Sequence, residues 1–401
     1  MKDRFDIVIA GAGMTGLTLA ALLRRCAAAA RLNVHVLDAG PRPQYAGGDL
    51  PDLRVSAISP GSAEILQRAG VWDDIRACRA CPYQSMRVWD AAGSAEGTET
   101  LRFDAADLGI PELGFIVENT LIQDRLLRRL EDLDTVPQFG SPIRRLSEDD
   151  GHFVAEYGKG APLRAELVIG ADGAASTVRT EAGIGARRWR YPQSAFVTHA
   201  EPGRCHADTA WQRFLPDGPI ALLPLADGRV SLVWSTTPER AARALAASDD
   251  ALAGLLSEAS DHVLGRLSPV GPRASFPLQA QYAERYCRQG LVLVGDAAHS
   301  VHPLAGQGVN LGFADAAALA CEIAGVIARG EHPGDLPGLR RYERARKGDN
   351  LLMLHFIEAI NRLFAAELAP LAKLRGGGMR LFNRSGPIRR RIVRVALGLG
   401  R

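Results

Sequence analysis

The sequence predicts an α/β protein in which a parallel, nucleotide-binding sheet is interleaved with an antiparallel sheet and followed by C-terminal helices. Three observations support this fold class. A glycine-rich turn joins a strand to a helix near the N-terminus, a second strand-to-helix unit begins at residue 291, and four short strands with tight turns lie between them. Because the two turn-bearing units are far apart in sequence, the domain that contains them must be assembled from separated segments.

The first strand, turn and helix form a dinucleotide-binding pattern. Phe5–Ala10 is a short apolar run rich in β-branched residues, and a helical pattern of apolar residues begins at Leu17. The turn between them has the spacing G-x-G-x-x-G. In a Rossmann-like unit, Gly11 permits the tight turn, Gly13 allows the backbone to approach a pyrophosphate, and Gly16 allows close packing of helix on strand.

A second strand ends in an acid at the expected distance from this turn. Asn33–Leu37 is apolar at alternate positions and is followed by Asp38, 22 residues beyond Gly16. An acid at this place binds the ribose hydroxyls of an adenine dinucleotide and disfavours a 2′-phosphate. The ligand predicted here is therefore FAD or NAD rather than NADP.

Length and charge limit the class of protein further. A chain of 401 residues is long enough for more than one hydrophobic core. The net charge of +3 is an average, because residues 368–401 carry nine Lys or Arg and no acid, which leaves −6 on the first 367 residues. Such asymmetry indicates an anionic membrane surface or an acidic partner. We expect no nucleic-acid partner, because this basic tail lacks interleaved aromatic residues.

Cysteine content and hydropathy indicate the compartment. Six cysteines in 401 residues are too sparse for a disulfide framework, and the N-terminus continues directly into a strand. The longest stretch without a charged residue in the body, Ala297–Ala314, is interrupted by His, Pro, Gln and Asn and is not expected to span a membrane. We therefore expect a cytoplasmic protein whose membrane contact, through the basic tail, is peripheral.

The second strand-to-helix unit begins with the apolar run LVLVGD at residues 291–296. Gly295 and Asp296 end this strand, so the Asp296 carboxylate is placed to accept hydrogen bonds from sugar or ribityl hydroxyls. A loop with Pro303 follows, and a helix is predicted from about Asn310. The N–H groups at such a helix start favour negative charge, which a reduced flavin carries on its ring.

The segment from His302 to Gly312, HPLAGQGVNLG, with Asp315 three residues later, is long and specific. It resembles the signature of the ubiquinone-biosynthesis aromatic-ring hydroxylases, a family within the p-hydroxybenzoate-hydroxylase-like FAD monooxygenases. Further landmarks of that family stand in the expected order: Gly11–Gly16, Arg54–Ser59, Leu167–Gly173 with Ser176 and Arg179, and Gly295–Asp296.

The resemblance implies roles for several residues. Arg54 should contact the flavin or its pyrophosphate, Asp172 and Gly173 should lie near the pyrophosphate and the approach of the nicotinamide, and Asp296 should bind ribitol or phosphate. Gln123 and Arg125, on a predicted amphipathic helix, are further candidates. The loop residues implied to bind or line the flavin are Gly295, Pro303, Gly306, Gly308, Val309 and Asn310. His299 is the one candidate for a catalytic side chain, and no acid or base role is assigned to it.

The chemistry implied by the resemblance belongs mainly to the cofactor. NAD(P)H would reduce the FAD, O2 would add at flavin C4a, and the hydroperoxide would transfer one oxygen to the ring of a polyprenylated phenol. No metal is expected. Other ubiquinone-biosynthesis proteins and a second copy of the chain are candidate partners. Two alternatives stay open: a non-catalytic flavin-binding component of a membrane-associated assembly, and a flavin enzyme acting on another aromatic substrate.

The predicted domains follow from the positions of these motifs. The FAD-binding domain is assigned to residues 1–75, 100–185 and 275–335, and the substrate domain to residues 76–99 and 186–274. Strands are predicted at 194–200, 209–214, 220–225 and 230–235, with one helix over 238–256. Residues 336–401 form the C-terminal helical region. Its last helix, after Pro387, is basic and amphipathic, and binding to a membrane or packing on protein would both explain it.

Overall fold

The computed structural model describes residues 5–302, 307–365, 377–383 and 385–399. Its strands are β1 Phe5–Ala10, β2 Leu32–Leu37, β3 Val55–Ile58, β4 Cys81–Tyr83, β5 Ser85–Asp90, β6 Leu101–Asp104, β7 Gly114–Glu118, β8 Ile143–Asp149, β9 His152–Tyr157, β10 Leu163–Ala165, β11 Leu167–Gly170, β12 Ala186–Pro202, β13 Thr209–Leu215, β14 Gly218–Pro224, β15 Val230–Thr236, β16 Leu267–Ala283, β17 Cys287–Arg288, β18 Leu291–Leu293 and β19 His299–Ser300.

The helices alternate with these strands and then dominate the C-terminal part. They are α1 Met14–Arg25, α2 Pro60–Ala69, α3 Trp72–Arg79, α4 Ala105–Leu108, α5 Asn119–Asp132, α6 Thr177–Glu181, α7 Pro238–Ala246, α8 Asp249–Ala259, α9 Gln307–Ala328, α10 Leu336–Ala365 and α11 Pro387–Ala396. Residues 377–383 are also helical. The predicted fold class, a nucleotide-binding α/β domain interleaved with a second sheet and followed by helices, is confirmed.

The nucleotide-binding sheet has the order β17-β18-β11-β1-β2, and β18, β11, β1 and β2 are mutually parallel. Ile7 in β1 pairs with Val34 on one side and with Leu167 on the other. The central strands are buried on both faces, as their continuous apolar sequence predicts. The turn after β1 and the turn after β18 therefore open at the same edge of one sheet, although 284 residues separate Gly11 from Gly295.

The second sheet has the order β19-β16-β12-β15-β14-β13-β5-β6. The four predicted strands correspond to β12–β15 and pair antiparallel. The sheet is mixed rather than wholly antiparallel, because β5 pairs with β13 in parallel. β6 also belongs to it, although residues 100–104 were predicted to lie in the FAD-binding domain; the hairpin with β5 pairs Val88 with Leu101. β4, predicted within the substrate domain, pairs instead with β7 in a separate three-stranded sheet.

Two helix predictions need correction. The single helix predicted over 238–256 is two helices, because the chain is extended at Ala247 and Ser248 caps the N-terminus of α8 by accepting the Ala251 N–H at 3.3 Å. The helix predicted from about Asn310 begins at Gln307. The helix predicted after Pro387 is present as α11.

Two long helices pack on the nucleotide-binding sheet and on each other. α9 contacts α1 and α10. α10 is 30 residues long and extends from β17 of the nucleotide-binding sheet to β13 and β14 of the second sheet. One segment of α9, Gly308–Ala328, is long and apolar enough to cross a membrane, and 56 % of its most apolar window is buried inside the protein. A core helix of a globular protein passes the same test.

Candidate functional site

The glycine-rich turn after β1 gives each of its glycines a different surrounding. Gly11 has φ +108°, and a Cβ there would lie 2.2 Å from the Ala171 carbonyl oxygen. A Cβ on Gly16 would lie 2.0 Å from the Gly11 carbonyl oxygen, so α1 could not pack this closely on the turn. A Cβ on Gly13 would meet nothing within 4 Å. The first and third glycines therefore serve packing, and the second faces open space at the start of α1.

The predicted ribose-binding acid lies beside this turn. Asp38 accepts the Ala12 N–H at 2.6 Å through one carboxylate oxygen and the Gly40 N–H at 2.7 Å through the other. Gln123 reaches the same turn from α5, where its side-chain amide donates to the Ala12 carbonyl oxygen at 3.4 Å. Asp38 and Gln123 thus hold the peptide group between Gly11 and Gly13 in place.

Arg125 lies elsewhere, although it is only two residues beyond Gln123. Residues two positions apart in an α-helix are separated by about 200° around its axis, so the side chains of Gln123 and Arg125 leave α5 in different directions. The Arg125 guanidinium pairs with Asp124, lies 5.8 Å from the ring centroid of Tyr45, and borders a polar surface cleft of about 530 Å³. The structure therefore groups Gln123 with the glycine-rich turn and Arg125 with a separate surface.

The turn after β11 is closed by its own side chains. Asp172 accepts the Ser176 hydroxyl at 2.5 Å and the Val178 N–H at 3.1 Å, which fixes the start of α6. Gly173 has φ +80°, and a Cβ there would meet nothing within 4 Å. Gly173 is therefore like Gly13 in facing open space. The Asp172 carboxylate does not face it in the same way, because it is hydrogen-bonded within the turn.

Two side chains tie this turn to the turn after β18. Arg179, only 1 % exposed, donates to the Ala174 carbonyl oxygen at 2.8 Å and to the Ala297 carbonyl oxygen at 2.7 Å. Gln281 in β16 donates to the carbonyl oxygens of Ala174 and Asp296 at 2.8 and 2.9 Å. Both side chains bridge segments that are more than 100 residues apart, so they set the distance between the two turns.

Asp296 has a carboxylate that accepts no hydrogen bond from the described residues of this region. Protein surrounds it closely, yet its side chain is exposed to the open space at the sheet edge. Burial raises the pKa of Asp296, and the nearby charges of His299 and Arg54 lower it in part. The Arg54 guanidinium lies 5.9 Å from the ring centroid of Phe276, an aromatic residue with 44 % of its surface exposed. Asp296, Arg54 and Phe276 thus lie at one opening.

The start of α9 closes the other side of the opening. Asn310 accepts the Ser59 N–H at 3.0 Å and donates to the Ala57 carbonyl oxygen at 2.9 Å, so it fastens α9 to the segment after β3. Val309 is half-buried, and a Cβ on Gly308 would lie 3.9 Å from Val301 Cγ2, at ordinary van der Waals distance. Pro303 and Gly306 lie outside the described residues.

The arrangement fits an FAD molecule lying across the edge of the sheet. Gly13 and Gly173 present backbone to open space, the N-terminus of α1 points toward that space, and Asp296 offers an unblocked carboxylate. Backbone N–H groups at a helix start suit a pyrophosphate, and a carboxylate suits sugar or ribityl hydroxyls. The features needed by both ends of a flavin dinucleotide therefore occur along one edge.

Comparison with known proteins decides the family. Residues 4–349 match the model of the FAD binding domain family. The chain is 40 % identical to the 3-demethoxyubiquinol 3-hydroxylase of Escherichia coli, with 98 % of both chains covered. It is 38 % identical to the ubiquinone hydroxylase UbiL of Rhodospirillum rubrum, with 98 % of this chain and 89 % of the relative covered. The chain belongs to the ubiquinone-biosynthesis hydroxylases.

A solved structure supports the same fold for this hydroxylase. The p-nitrophenol 4-monooxygenase PnpA of Pseudomonas putida superposes with a TM-score of 0.78 at 21 % identity, covering 100 % of this chain and 99 % of that one. At this identity the likeness concerns the fold alone. The family match and the hydroxylase relatives make this protein an FAD-dependent monooxygenase, as the sequence motifs predicted.

The two histidines of the hydroxylase that are three residues apart have different partners. His299 is buried, and its Nε2 lies 2.5 Å from Asp315 Oδ2. The Nε2 of His302 lies 3.3 Å from the side-chain oxygen of Gln193, and Tyr191 makes an edge contact with the His302 ring. Burial lowers the pKa of His302 to about 4, so this imidazole is neutral near pH 7. Each histidine is engaged by protein groups.

Sequence reasoning missed part of the site. Gln281, Arg346 and Asn350 were not predicted to matter, and Arg179 and Asp315 were noted only as family landmarks. Arg346 and Asn350 are four residues apart, so they share one face of α10. Polar residues at this spacing next to the apolar positions of a long helix were the available signal.

Proposed function

We propose that this hydroxylase adds oxygen to the ring of a polyprenylated phenol of the ubiquinone pathway, with NAD(P)H and O2 as co-substrates. The observation that carries the proposal is an apolar cluster directly beside the signature loop. Val301 directly precedes the signature segment, and Leu311 lies within it on α9. Phe214 comes from the second sheet, and Leu354 and Ile357 come from α10; all five are at most 9 % exposed. An isoprenoid chain is an apolar ligand and requires such a lining.

The cluster continues outward between the second sheet and α10. Phe214 and Phe364 stack with ring centroids 4.0 Å apart, and the rings of Trp189 and Tyr282 meet edge to face at 6.2 Å. All four aromatic residues belong to, or pack against, the same cluster. This supports an apolar route that leads from the protein surface toward the flavin edge of the sheet.

The protein's own contribution is to bind, orient and shield. Bound FAD supplies the redox chemistry that activates O2. The backbone at Gly13 would hold the pyrophosphate, Asp38 would accept hydrogen bonds from the ribose, and Asp296 would do so from the ribityl or phosphate region. Arg54 and Phe276 lie at the opening through which a nicotinamide ring would approach. The apolar cluster beside the loop excludes water from the place where the phenol would lie.

A deletion strain tests the proposed substrate. Removal of the gene should block ubiquinone synthesis and cause a polyprenylated precursor to accumulate that lacks one ring oxygen, and mass spectrometry of the lipid extract identifies it. Complementation by the wild-type gene should restore ubiquinone, and complementation by Leu354→Arg should not, because a charge in the cluster opposes binding of an apolar chain. Unchanged ubiquinone content in the deletion strain would refute the proposal.

We also propose that the hydroxylase contacts an anionic membrane through α11. The inner side of this helix is packed on protein: Arg389 lies 5.6 Å from the ring centroid of Phe103 and 3.4 Å from Asp107. Its outer side carries exposed arginines and exposed apolar residues, which are Arg390, Arg391, Arg394, Ile392 and Val395. Cationic and apolar side chains on one exposed side are typical of helices that lie at a bilayer surface.

Vesicle binding tests this second proposal. Replacement of Arg390, Arg391 and Arg394 by Gln should weaken binding to phosphatidylglycerol vesicles by at least about tenfold, since each basic residue near the surface contributes roughly 1 kcal/mol. FAD content should be unchanged. The matched control replaces Arg128, Arg144 and Arg145, three exposed arginines of the body, by Gln. Equal loss in both triple variants would show a non-specific charge effect and contradict the proposal.

A further inference from the structure

A buried carboxylate joins the turn after β18 to α10. Asp315, on α9, accepts the Gly295 N–H at 3.1 Å through Oδ2, and the same oxygen lies 2.5 Å from His299 Nε2. Its other oxygen, Oδ1, accepts from Arg346 Nε at 2.8 Å and from the Asn350 side-chain amide at 3.1 Å. One carboxylate oxygen therefore serves the turn after β18, and the other serves α10.

The side chains of Asp315, Arg346 and Asn350 form a cluster that is shielded from solvent and in which each hydrogen-bonds to the other two. Asp315 is 0 % exposed, Asn350 1 % and Arg346 4 %. Arg346 also donates to the Asn350 side-chain oxygen at 2.8 Å, so both the nitrogen and the oxygen of the Asn350 amide are hydrogen-bonded. A buried ion pair is favourable only when its remaining donors and acceptors are also satisfied, and loss of one partner leaves a charge without compensation. These contacts therefore hold one specific geometry.

The same part of α10 is attached to the strand that precedes the turn. The Tyr342 hydroxyl donates to the Leu293 carbonyl oxygen at 3.0 Å, and Glu343 accepts the Tyr286 N–H at 2.7 Å. Leu293 is the last residue of β18, two residues before Gly295. α10 thus contacts the strand end through Tyr342 and the turn through Asp315.

We propose that Arg346 and Asn350 are positioning residues for FAD binding, because they hold Asp315 in the orientation that fixes the Gly295 N–H and thereby the direction in which Asp296 enters the opening. The inference rests on the proposed role of Asp296 as a flavin ligand. Neither residue touches the opening itself. Their effect passes through the Asp315 carboxylate to the peptide of the turn.

Flavin titration of the purified apoprotein tests the inference. Arg346→Gln should weaken FAD affinity by at least about tenfold, because a charge-assisted hydrogen bond to the buried carboxylate is lost. ADP competes only for the half of the site formed by Gly13 and Asp38, so its affinity should stay within about twofold, which is under 0.5 kcal/mol. Arg346→Lys, which keeps the charge, should restore part of the FAD affinity.

The controls separate positioning from general stability. Arg341, on the same helix, pairs with Glu322 at the surface at 2.6 Å, and Arg341→Gln should leave FAD affinity unchanged. A lower melting temperature of Arg346→Gln with wild-type FAD affinity would overturn the inference. If Arg346→Gln does not fold, Asn350→Ala decides, because it keeps the Arg346–Asp315 pair; unchanged FAD affinity in that variant would also overturn the inference.

Asp296→Asn separates the proposed role of Asp296 as a flavin ligand from the positioning role of Arg346 and Asn350. This variant should weaken FAD binding if Asp296 is a flavin ligand. Wild-type affinity in Asp296→Asn would refute the proposed role of Asp296 and the inference with it. Weak binding in Asp296→Asn together with normal binding in Arg346→Gln would refute the positioning role alone.

Discussion

The two nucleotide turns at the edge of the parallel sheet are built in different ways. The turn after β1 is made of backbone: Gly11 and Gly16 allow close approaches, and Asp38 accepts an N–H from within the turn. The turn after β18 is held by buried side chains from four other elements, namely Arg179, Gln281, Asp315 and Arg346. The first turn depends mainly on the space that its glycines leave, with hydrogen bonds between Ala12 and the side chains of Asp38 and Gln123, and the second depends on buried charge and on hydrogen bonds from several other elements.

This difference determines how each turn fails. A steric turn fails when a side chain is added, whereas a turn held by buried polar groups fails when a partner is removed or its protonation changes.

Gly11→Ala should be the most damaging single change in the first turn. The added Cβ would lie 2.2 Å from the Ala171 carbonyl oxygen on a residue with φ +108°. Overpacking and the left-handed backbone together should lower the free energy of unfolding by about 2–5 kcal/mol. Urea unfolding of the apoprotein measures this loss.

Gly13→Ala is the matched control, because its Cβ would meet nothing within 4 Å. Its free energy of unfolding should fall by only about 1 kcal/mol, because alanine is a poorer N-cap residue than glycine but its Cβ adds no clash. FAD affinity should nevertheless fall by about tenfold or more, since the Cβ occupies the space proposed for the pyrophosphate. Wild-type FAD affinity would place the pyrophosphate elsewhere.

Arg179→Met should separate the two turns from each other. It removes the donors to the carbonyl oxygens of Ala174 and Ala297 and keeps much of the apolar volume. The Ala297 carbonyl would lose its side-chain donor, whereas the Ala174 carbonyl would keep the Gln281 amide, so the free energy of unfolding should fall by about 1–3 kcal/mol. Arg187→Met, at an exposed position, is the control and should cost less than about 0.5 kcal/mol. Equal losses of unfolding free energy in the two variants would show that the hydrogen bonds of Arg179 make no specific contribution to stability.

The second turn should also respond to pH through Asp315. Burial opposes ionisation of this carboxyl, but His299 and Arg346 outweigh it and lower its pKa to about 2, against an ordinary value of 3.8. The folded state therefore holds the ionised form more tightly than the unfolded chain does. This stabilisation is complete above about pH 4 and is lost as the pH falls through about 2.

Unfolding of wild type and Asp315→Asn at several pH values measures this contribution. The gap in free energy of unfolding between them should narrow by on the order of 2 kcal/mol between about pH 5 and pH 2. A gap that stays constant over this range would show that Asp315 titrates normally, and the contrast between a steric and an electrostatic turn would then fail.

The sequence predicted the local turn well and the distant contacts poorly. The spacing of Gly11, Gly13 and Gly16 and the acid at 38 depend on neighbouring residues, so they can be recognised in one short segment. The run LVLVGD predicted β18 and its turn for the same reason. Arg346 and Asn350 could not be assigned, because their partner lies more than 30 residues away on another helix.

The second sheet shows the same limit of prediction. Its four central strands have alternating or fully apolar patterns and were predicted from them. The parallel pairing of β5 with β13 was not, since it joins residues 85–90 to 209–214 and depends on tertiary packing. The two helices over 238–259 were predicted as one because both are rich in alanine, and the capping role of Ser248 was not recognised.

The order of strands in the parallel sheet also bears on how the enzyme is made. β1 is made before its neighbour β11, which follows about 160 residues later, and β18 and Arg346 follow only after residue 290. β2 can pair with β1 early, but the other edge of the growing sheet stays open until β11 and then β18 are made, and contacts between residues so distant in sequence form slowly. Flavin uptake in the cell must accordingly follow synthesis of α10, whose Arg346 closes on a turn already joined to the first.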